Sequence, residues 1–410
     1  MYRNMVVTEV GKLEKELVDL ACDLVKIDSQ NPPGRYEEIV GYLEGKFKSW
    51  GIPAETHKVP EEFLEEQDVS YPKLNILASI TGQEPGPTLI FLAHLDTVPV
   101  GKTRDWTYEP LAAQIHDGKI FGRGIVDCKG RLAAYAVAAA ALKNSGMPFK
   151  GKLIVAATCD EETGGSLGAG YLVQQGLLRG EMAVVEGYSN QIIRAMCGVL
   201  EMKIIAKGKA AHAGWKWKGI NAIEKMAKVI EILNELQGEL LQEPSKIEGI
   251  PCTGINIGKI AGGTKSNVVP DYAEIEIDIR VMPEHTIEEI SQRVHAKIKL
   301  LQEKDPEAEY IIEENKETSI PPTIIPLDSP LIASLQRAVH FVEGKNLPVL
   351  GVPIQSDARW LLDAGIQAIN YGPGTPDNKV HGVNEYIEID NLITSTKVLA
   401  AMAAELLVVT

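Results

Sequence analysis

The chain has 410 residues, 45% hydrophobic and 24% charged, the proportions of an ordinary globular protein with room for two cores. Its formal net charge of -15, with no basic block to offset it, argues against nucleic acid as a partner. Five scattered cysteines (Cys22, Cys128, Cys159, Cys197, Cys252) without C-x-x-C spacing argue against a disulfide framework or a cysteine zinc site and fit a reducing compartment.

No basic-then-apolar leader opens the chain. From Thr8 to Ile27, apolar residues recur at helical spacing (Leu13, Leu17, Leu20, Ala21, Leu24, Val25), which predicts one amphipathic helix. Asn31-Pro-Pro-Gly34 stops it, and a second helix is expected to about Trp50. Leu74–Ile80 and Thr88–Ala93 read as buried strands on either side of a turn-rich stretch. A helix is expected from about Arg131 to Lys143; its alanine-rich run is too short to span a bilayer and reads as buried. Strands follow at Lys152–Cys159 and Met182–Val185. Strands alternating with helices, with polar residues at strand ends, predict an α/β domain with a mostly parallel sheet. A cytoplasmic location with no membrane partner is expected.

Around Ile192–Leu200 the pattern changes. Strands at Leu200–Ala206, Thr253–Ile260 and Ala273–Val281 alternate apolar and polar residues, as strands with one wet face do. With helices at Gly219–Gln237 and Thr286–Leu301 and a strand at Glu309–Glu314, the order is β-α-β-β-α-β, that of the ferredoxin-like motif. The α/β pattern then resumes with helix Ser329–Val342, strand Ala368–Tyr371 and helix Ile389–Val408. The expected organisation is a domain of residues 1–198 and 317–410 with an α+β segment, 199–316, inserted.

Five metal-ligand candidates fall beside predicted strand ends or in loops next to them. His94 and Asp96, two apart, point to one face of an extended chain, and a metal-bound imidazole needs its second nitrogen held. Asp127 follows a glycine-rich strand end and precedes a helix, where an Asp also commonly serves as N-cap. Glu161 and Glu162 form a carboxylate pair that is costly at the end of an apolar strand without a cation. Consecutive residues point opposite ways, so one of the pair is free to bind metal while its neighbour faces a water. Glu186 ends another apolar strand, and His381 lies in a turn-rich loop before the last helix. Imidazoles and carboxylates without thiolate suit Zn²⁺, with Co²⁺ or Mn²⁺ as alternatives. Three carboxylates and two histidines exceed what one open catalytic zinc needs and point to two metals.

His94-Leu-Asp96-Thr-Val-Pro, Gly122-Arg-Gly-x-x-Asp127-x-Lys-Gly, Asp160-Glu161-Glu162-x-Gly and His381-Gly-x-Asn384-Glu385 occur in that order. In this combination the chain resembles, over nearly its whole length, the di-zinc metallohydrolases that include acetylornithine deacetylase, succinyl-diaminopimelate desuccinylase, aminoacylase and carboxypeptidase G. The resemblance implies a zinc-exopeptidase-like catalytic domain with an inserted ferredoxin-like lid and dimerisation domain. It implies that Asp127 bridges two metals, His94 and Glu186 completing one site and Glu162 and His381 the other. Asp96 then orients His94, and Glu161 is the general base that takes a proton from water as it attacks an amide carbonyl. In the lid, Gly208-Lys-Ala-Ala-His212-Ala-Gly214 resembles the segment whose histidine stabilises the oxyanion, often across a homodimer. Asn267 and Arg280 match positions that hold the substrate carboxylate. The resemblance thus implies a deacylase of N-acyl amino acids, with a dipeptidase or carboxypeptidase as the nearest variant. One segment departs from the desuccinylase pattern. Val352-Pro-Ile-Gln-Ser356-Asp357-Ala-Arg359 lacks the glycines of Ser/Thr-Gly-Gly-Thr-Ser-Asp, which leaves the acyl group open.

Overall fold

In a computed structural model that describes residues 1–65, 71–316 and 318–409, the chain divides into two units. One comprises Met1–Arg194, Ile325–Val349 and Ser356–Thr410, the other Ala195–Ile324 and Leu350–Gln355. The boundary expected at residue 317 lies outside the described residues. The division begins at Ala195 rather than 199, ends at Ile324, and adds the 350–355 return.

The larger unit is built on a mixed sheet whose strands run in the order Ala54–Lys58, Leu74–Thr81, Lys150–Thr158, Glu84–His94, Met182–Val185, Gln367–Asn370. The last four are mutually parallel, while the first two attach antiparallel. Burial explains the split. Leu89–Leu92, Leu153–Ala157 and Ala183–Val185 are buried runs without polar alternation, as parallel strands covered on both faces require. One cover is the helix Gly130–Asn144, whose residues 130–142 are all buried and whose alanines let neighbours approach closely. The last helix, Ile389–Leu407, packs against it.

The single N-terminal helix expected from Thr8 to Ile27 is instead two, Tyr2–Lys12 and Glu14–Lys26, parted at Leu13 (φ -100°, ψ 6°). The first buries Val6 and Val10 and packs on the last helix; the second buries Leu17, Leu20, Leu24 and Val25 and packs on the alanine-rich helix. The first also packs on the alanine-rich helix, so both apolar stripes meet the same pair of helices, each from its own direction after the break at Leu13.

The smaller unit has an antiparallel sheet ordered Gly254–Gly262, Tyr272–Val281, Gly198–Lys207, Glu309–Glu314. Numbered along the chain this is 2-3-1-4, the ferredoxin-like order. Its two helices bury Met226, Val229, Leu233, Val294 and Ile298 in one cluster with Ile275, Ile277 and Ile279. Each fully buried isoleucine contributes about 1.5–3 kcal/mol. Glu274 and Glu276 alternate with those isoleucines and pair with Lys203 and Lys259 on the outer face. Asn221 and Thr286 cap the helices, accepting the N–H groups of Ile223, Glu224 and Glu289.

Candidate metal centre

Three neighbouring parallel strands deliver the first ligand candidates. His94 is in register with Thr158, Leu92 with Val185, and Glu186 N–H donates to the Leu92 carbonyl at 3.1 Å. His94, the Glu161–Glu162 pair and Glu186 therefore emerge together at the carboxyl ends of the strands, where an α/β sheet builds its sites. Asp127 arrives from the turn Ile125–Lys129 with φ -119° and ψ 87°. The following helix is N-capped by Lys129, so Asp127 is not its cap. Cys128 fixes the turn against the strand, its thiol donating to the His94 carbonyl at 3.1 Å and accepting the His94 N–H at 3.0 Å.

The two carboxylate oxygens of Asp127 face two different histidines. Oδ1 lies 3.4 Å from His94 Nε2. Oδ2 lies 3.2 Å from His381 Nε2, and that nitrogen is 3.3 Å from Glu162 Oε2. His94 Nδ1 is held by the Asp96 carbonyl at 3.0 Å, with the Asp96 carboxylate at 3.5 Å, which leaves Nε2 to face inward. Asp96 is itself fully buried and accepts from Asn31 and from the N–H groups of Glu161 and Glu162. Glu161 Oε2 lies 4.0 Å from His94 Nε2. One ligand atom from each of His94, Asp127 and Glu162 lies within 4.8 Å of the others, a spacing fit to hold a metal ion.

Electrostatics point the same way. Burial pushes Glu186 up to about 7, and both its carboxylate oxygens are buried without a hydrogen-bond partner. A carboxylate left so is costly, and a cation offsets the cost. Burial also pushes Glu161 well above the carboxylate range. Asp127 is held well below it despite its burial, by the charge of Arg131 and by hydrogen bonds with His381 and His94. Hydrogen bonds with Asp127 and Glu162 raise His381 to about 10. The cluster thus carries surplus negative charge that protons partly neutralise, the task a bound metal takes over.

Sequence reasoning left several residues without a role. Glu385, fully buried, accepts four donors: Arg123 Nη1 at 2.7 Å and the N–H groups of Gly124 (3.1 Å), Val126 (2.9 Å) and Asp127 (3.2 Å). Arg123 Nη2 donates in turn to the His381 carbonyl at 3.1 Å. The Asp127 turn and the His381 loop are tied together through this ion pair. His381 and Asn384 sit at φ 61° and 57°, a left-handed conformation uncommon outside glycine, and Asn384 Oδ1 anchors its loop to Thr107 N–H at 2.7 Å. Arg131 donates to Asp127 Oδ1 at 2.8 Å. Asp357, also buried, accepts the Thr158 hydroxyl at 3.1 Å. The available signal was a set of charged residues inside glycine-rich or apolar stretches.

In the smaller unit His212 and Asn267 come together. His212 pairs with Val268 across a two-residue ladder, and the next N–H, of Ala213, donates to the Asn267 carbonyl at 3.0 Å. The exposed His212 ring accepts the Gly214 N–H at Nδ1 (3.1 Å), so its neutral form carries the proton on Nε2. Arg280 does not join them. It lies at the far end of the Tyr272–Val281 strand, its guanidinium paired with Asp278 at 2.8 and 2.9 Å.

Residues 90–405 match the model of Peptidase family M20/M25/M40. The chain is 28% identical over 412 residues to a probable succinyl-diaminopimelate desuccinylase of Staphylococcus aureus, covering 92% of this chain and 94% of the relative. It is 30% identical over 356 residues to the acetylornithine deacetylase of Klebsiella pneumoniae, covering 86% of each. Among solved structures, aminopeptidase PepT from Bacillus cereus superposes with a TM-score of 0.74 at 23% identity, over 96% of this chain and 98% of that one.

Proposed function

The chain belongs to Peptidase family M20/M25/M40 and is a hydrolase of amide bonds, and from that premise we propose that it is a two-metal deacylase releasing an amino acid from an N-acyl group. The observation that carries the reading is Asp127, whose two oxygens face His94 on one side and His381 on the other. His94, Asp127 and Glu186 are assigned to one cation, and Asp127, Glu162 and His381 to the second. The orphaned carboxylate of Glu186 supports the fit. The ligand chemistry favours Zn²⁺, with Co²⁺ or Mn²⁺ in its place. Divalent cations in such a site lower the pKa of water and polarise an amide carbonyl.

The chain's own residues supply the rest. Asp96 fixes the His94 ring. Glu161, beside His94 Nε2 and pushed up by burial, takes the proton of the attacking water and returns it to the leaving amine. His212 offers an Nε2–H donor for the developing oxyanion, and Asn267 beside it is assigned to the substrate carboxylate; Arg280, paired with Asp278 at the far end of its strand, is left out of that assignment.

The unit 195–324 is assigned as lid and dimerisation domain. Its Gly254–Gly262 strand forms a sheet edge with an exposed face, a surface open to pairing with a second copy. All five cysteines are free thiols, in keeping with a reducing, cytoplasmic setting. A dipeptidase or carboxypeptidase is the second reading, because the assembled groups act on the amide and not on the acyl chain. A silent binding protein is disfavoured, since every ligand and base position is filled.

The zinc- or cobalt-loaded protein is expected to hydrolyse one class among N-acetylornithine, N-succinyl-diaminopimelate, other N-acyl amino acids and dipeptides. Activity is expected to vanish on chelation and return with metal. Hydrolysis that persists after verified metal removal overturns the mechanism.

A further inference from the structure

Asp160 stands between the strand Lys150–Thr158 and the turn Glu161–Thr163, and it holds φ 74°. A side chain at positive φ is strained, and such strain persists where surrounding bonds over-determine it. Asp160 is buried and has those bonds. Its Oδ1 accepts the Thr163 hydroxyl at 2.6 Å, its Oδ2 accepts the Leu167 N–H at 3.4 Å, and its own N–H donates to the Tyr36 hydroxyl at 3.2 Å. The charge is met by Lys73, whose Nζ lies 3.3 Å from Oδ1.

Lys73 is 2% exposed, and a lysine so buried is rare without a paired charge. It is also tightly placed. Nζ lies 5.2 Å from the centre of the Tyr36 ring, and a Cβ at Gly34 would lie 2.6 Å from it. Asn31, in the same Asn31-Pro-Pro-Gly34 stretch, donates from Nδ2 to Asp96 at 2.8 Å and to the Thr163 hydroxyl at 3.1 Å. Asp96 accepts the N–H groups of Glu161 and Glu162, each at 3.3 Å. Four consecutive residues are thus tied down, Glu161 and Glu162 by Asp96, and Asp160 and Thr163 by the bonds gathered on the Lys73 ion pair.

We propose that Lys73 is a positioning residue for the reaction: through Asp160 it fixes the turn that sets Glu161 beside His94. The inference rests on the deacylase reading and deepens it. It gives the Asn31-Pro-Pro-Gly34 stretch, whose evident task is to stop a helix, a second one as the wall against which Lys73 packs.

The test is steady-state hydrolysis at saturating metal, with metal content measured on each variant, so that a lost ligand and a misplaced base read separately. Lys73→Met should lower kcat roughly 10–100-fold, the scale of a misplacement caused away from the chemistry. KM should move less than about threefold. Asp160→Asn removes the charge and keeps a residue type that tolerates left-handed φ. It should do the same, and the double variant should be no worse than either single one. In a Glu161→Gln background, Lys73→Met should change the residual rate less than about threefold, because the group it positions is gone. A purely structural role would lower both rates alike. An unchanged kcat in Lys73→Met, additive losses in the double variant, or an equal loss in the Glu161→Gln background would each overturn the inference. If Lys73→Met does not fold, Thr163→Val, at an exposed residue, removes two bonds of the same clamp and should show the same loss and the same dependence on Glu161. An unchanged kcat there counts equally against it. A wild type that hydrolyses no N-acyl amino acid or dipeptide overturns the deacylase reading itself, and the inference falls with it.

Discussion

Glu161 and Glu162 are adjacent in sequence and face different neighbours because the backbone turns between them. Asp160, at φ 74°, ends the strand and starts the short turn Glu161–Thr163. Glu162 then accepts the Val98 N–H at 3.1 Å and faces His381. Glu161 is left beside His94 with burial raising its pKa. A raised pKa makes the ionised carboxylate the stronger base. Glu161→Gln is therefore expected to lower kcat by roughly 10²–10⁴-fold, the usual range for a lost general base, with metal content by atomic emission unchanged. Retained turnover with the metal still bound would sink the assignment. At this scale the sequence is legible where a short spacing carries the chemistry. His94 at a strand end with Asp96 two residues on, and two consecutive carboxylates after another strand, both read directly. Arg131 and Glu385 do not, because a charge next to glycines or on an apolar helix reads equally well as solvated.

Short elements do much of the positioning. Gln114–His116, Lys119–Phe121 and Tyr386–Glu388 form a three-stranded sheet that sets the Asp127 turn beside the His381 loop, and Glu385 bonds the two. Three-residue strands show no alternation to read, so this sheet was invisible in the sequence, whereas the long buried strands and the amphipathic helices were legible within a few residues. Glu385→Ala leaves Arg123 and three backbone N–H groups unsatisfied. The variant is expected to lose about 10–100-fold in metal affinity, the usual effect of removing a group that orients a ligand, with far-UV circular dichroism unchanged. Metal affinity equal to wild type would remove Glu385 from that role.

In the smaller unit, Lys225 and Lys228 both bond Asp305, the residue that ends the helix Ile287–Lys304, and Lys225 reaches both its oxygens at 2.7 Å. These bonds hold the Asp305 carboxyl below its ordinary 3.8. The folded pKa is depressed, so the stabilisation is present above 3.8 and lost as pH falls below it. Asp305→Ala is expected to cost about 1–2 kcal/mol in urea unfolding at pH 7, and the gap should narrow as pH drops through that window. A gap that does not depend on pH would mean the ion pair is not its source.

At the scale of the molecule, the β-α-β-β-α-β order of the inserted unit was legible because its sheet keeps a wet face, and Glu274, Glu276 and Asp278 mark it between buried isoleucines. Its edges were not legible. The division between units falls inside the strand Ile192–Met196, at Arg194, where no turn or linker residue marks it, and the 350–355 return carries no compositional signal. The function proposed for the inserted unit depends on His212, which lies outside the unit that carries the candidate metal ligands. His212 is exposed, uses Nδ1 on Gly214, and presents Nε2–H outward. If the donor serves the site of a second copy in a homodimer, two inactive variants complement each other. In a mixed dimer of Glu161→Gln and His212→Ala, the site on the His212→Ala chain keeps its own Glu161 and receives the intact His212 of its partner. Random exchange puts half the chains in mixed dimers, and one of two sites in each is whole. The expected rate is about a quarter of wild type. The measurement is hydrolysis by an equimolar mixture after subunit exchange has been verified by native mass spectrometry. A rate no greater than the sum of the separate variants would place His212 in its own chain's site or remove it from the reaction.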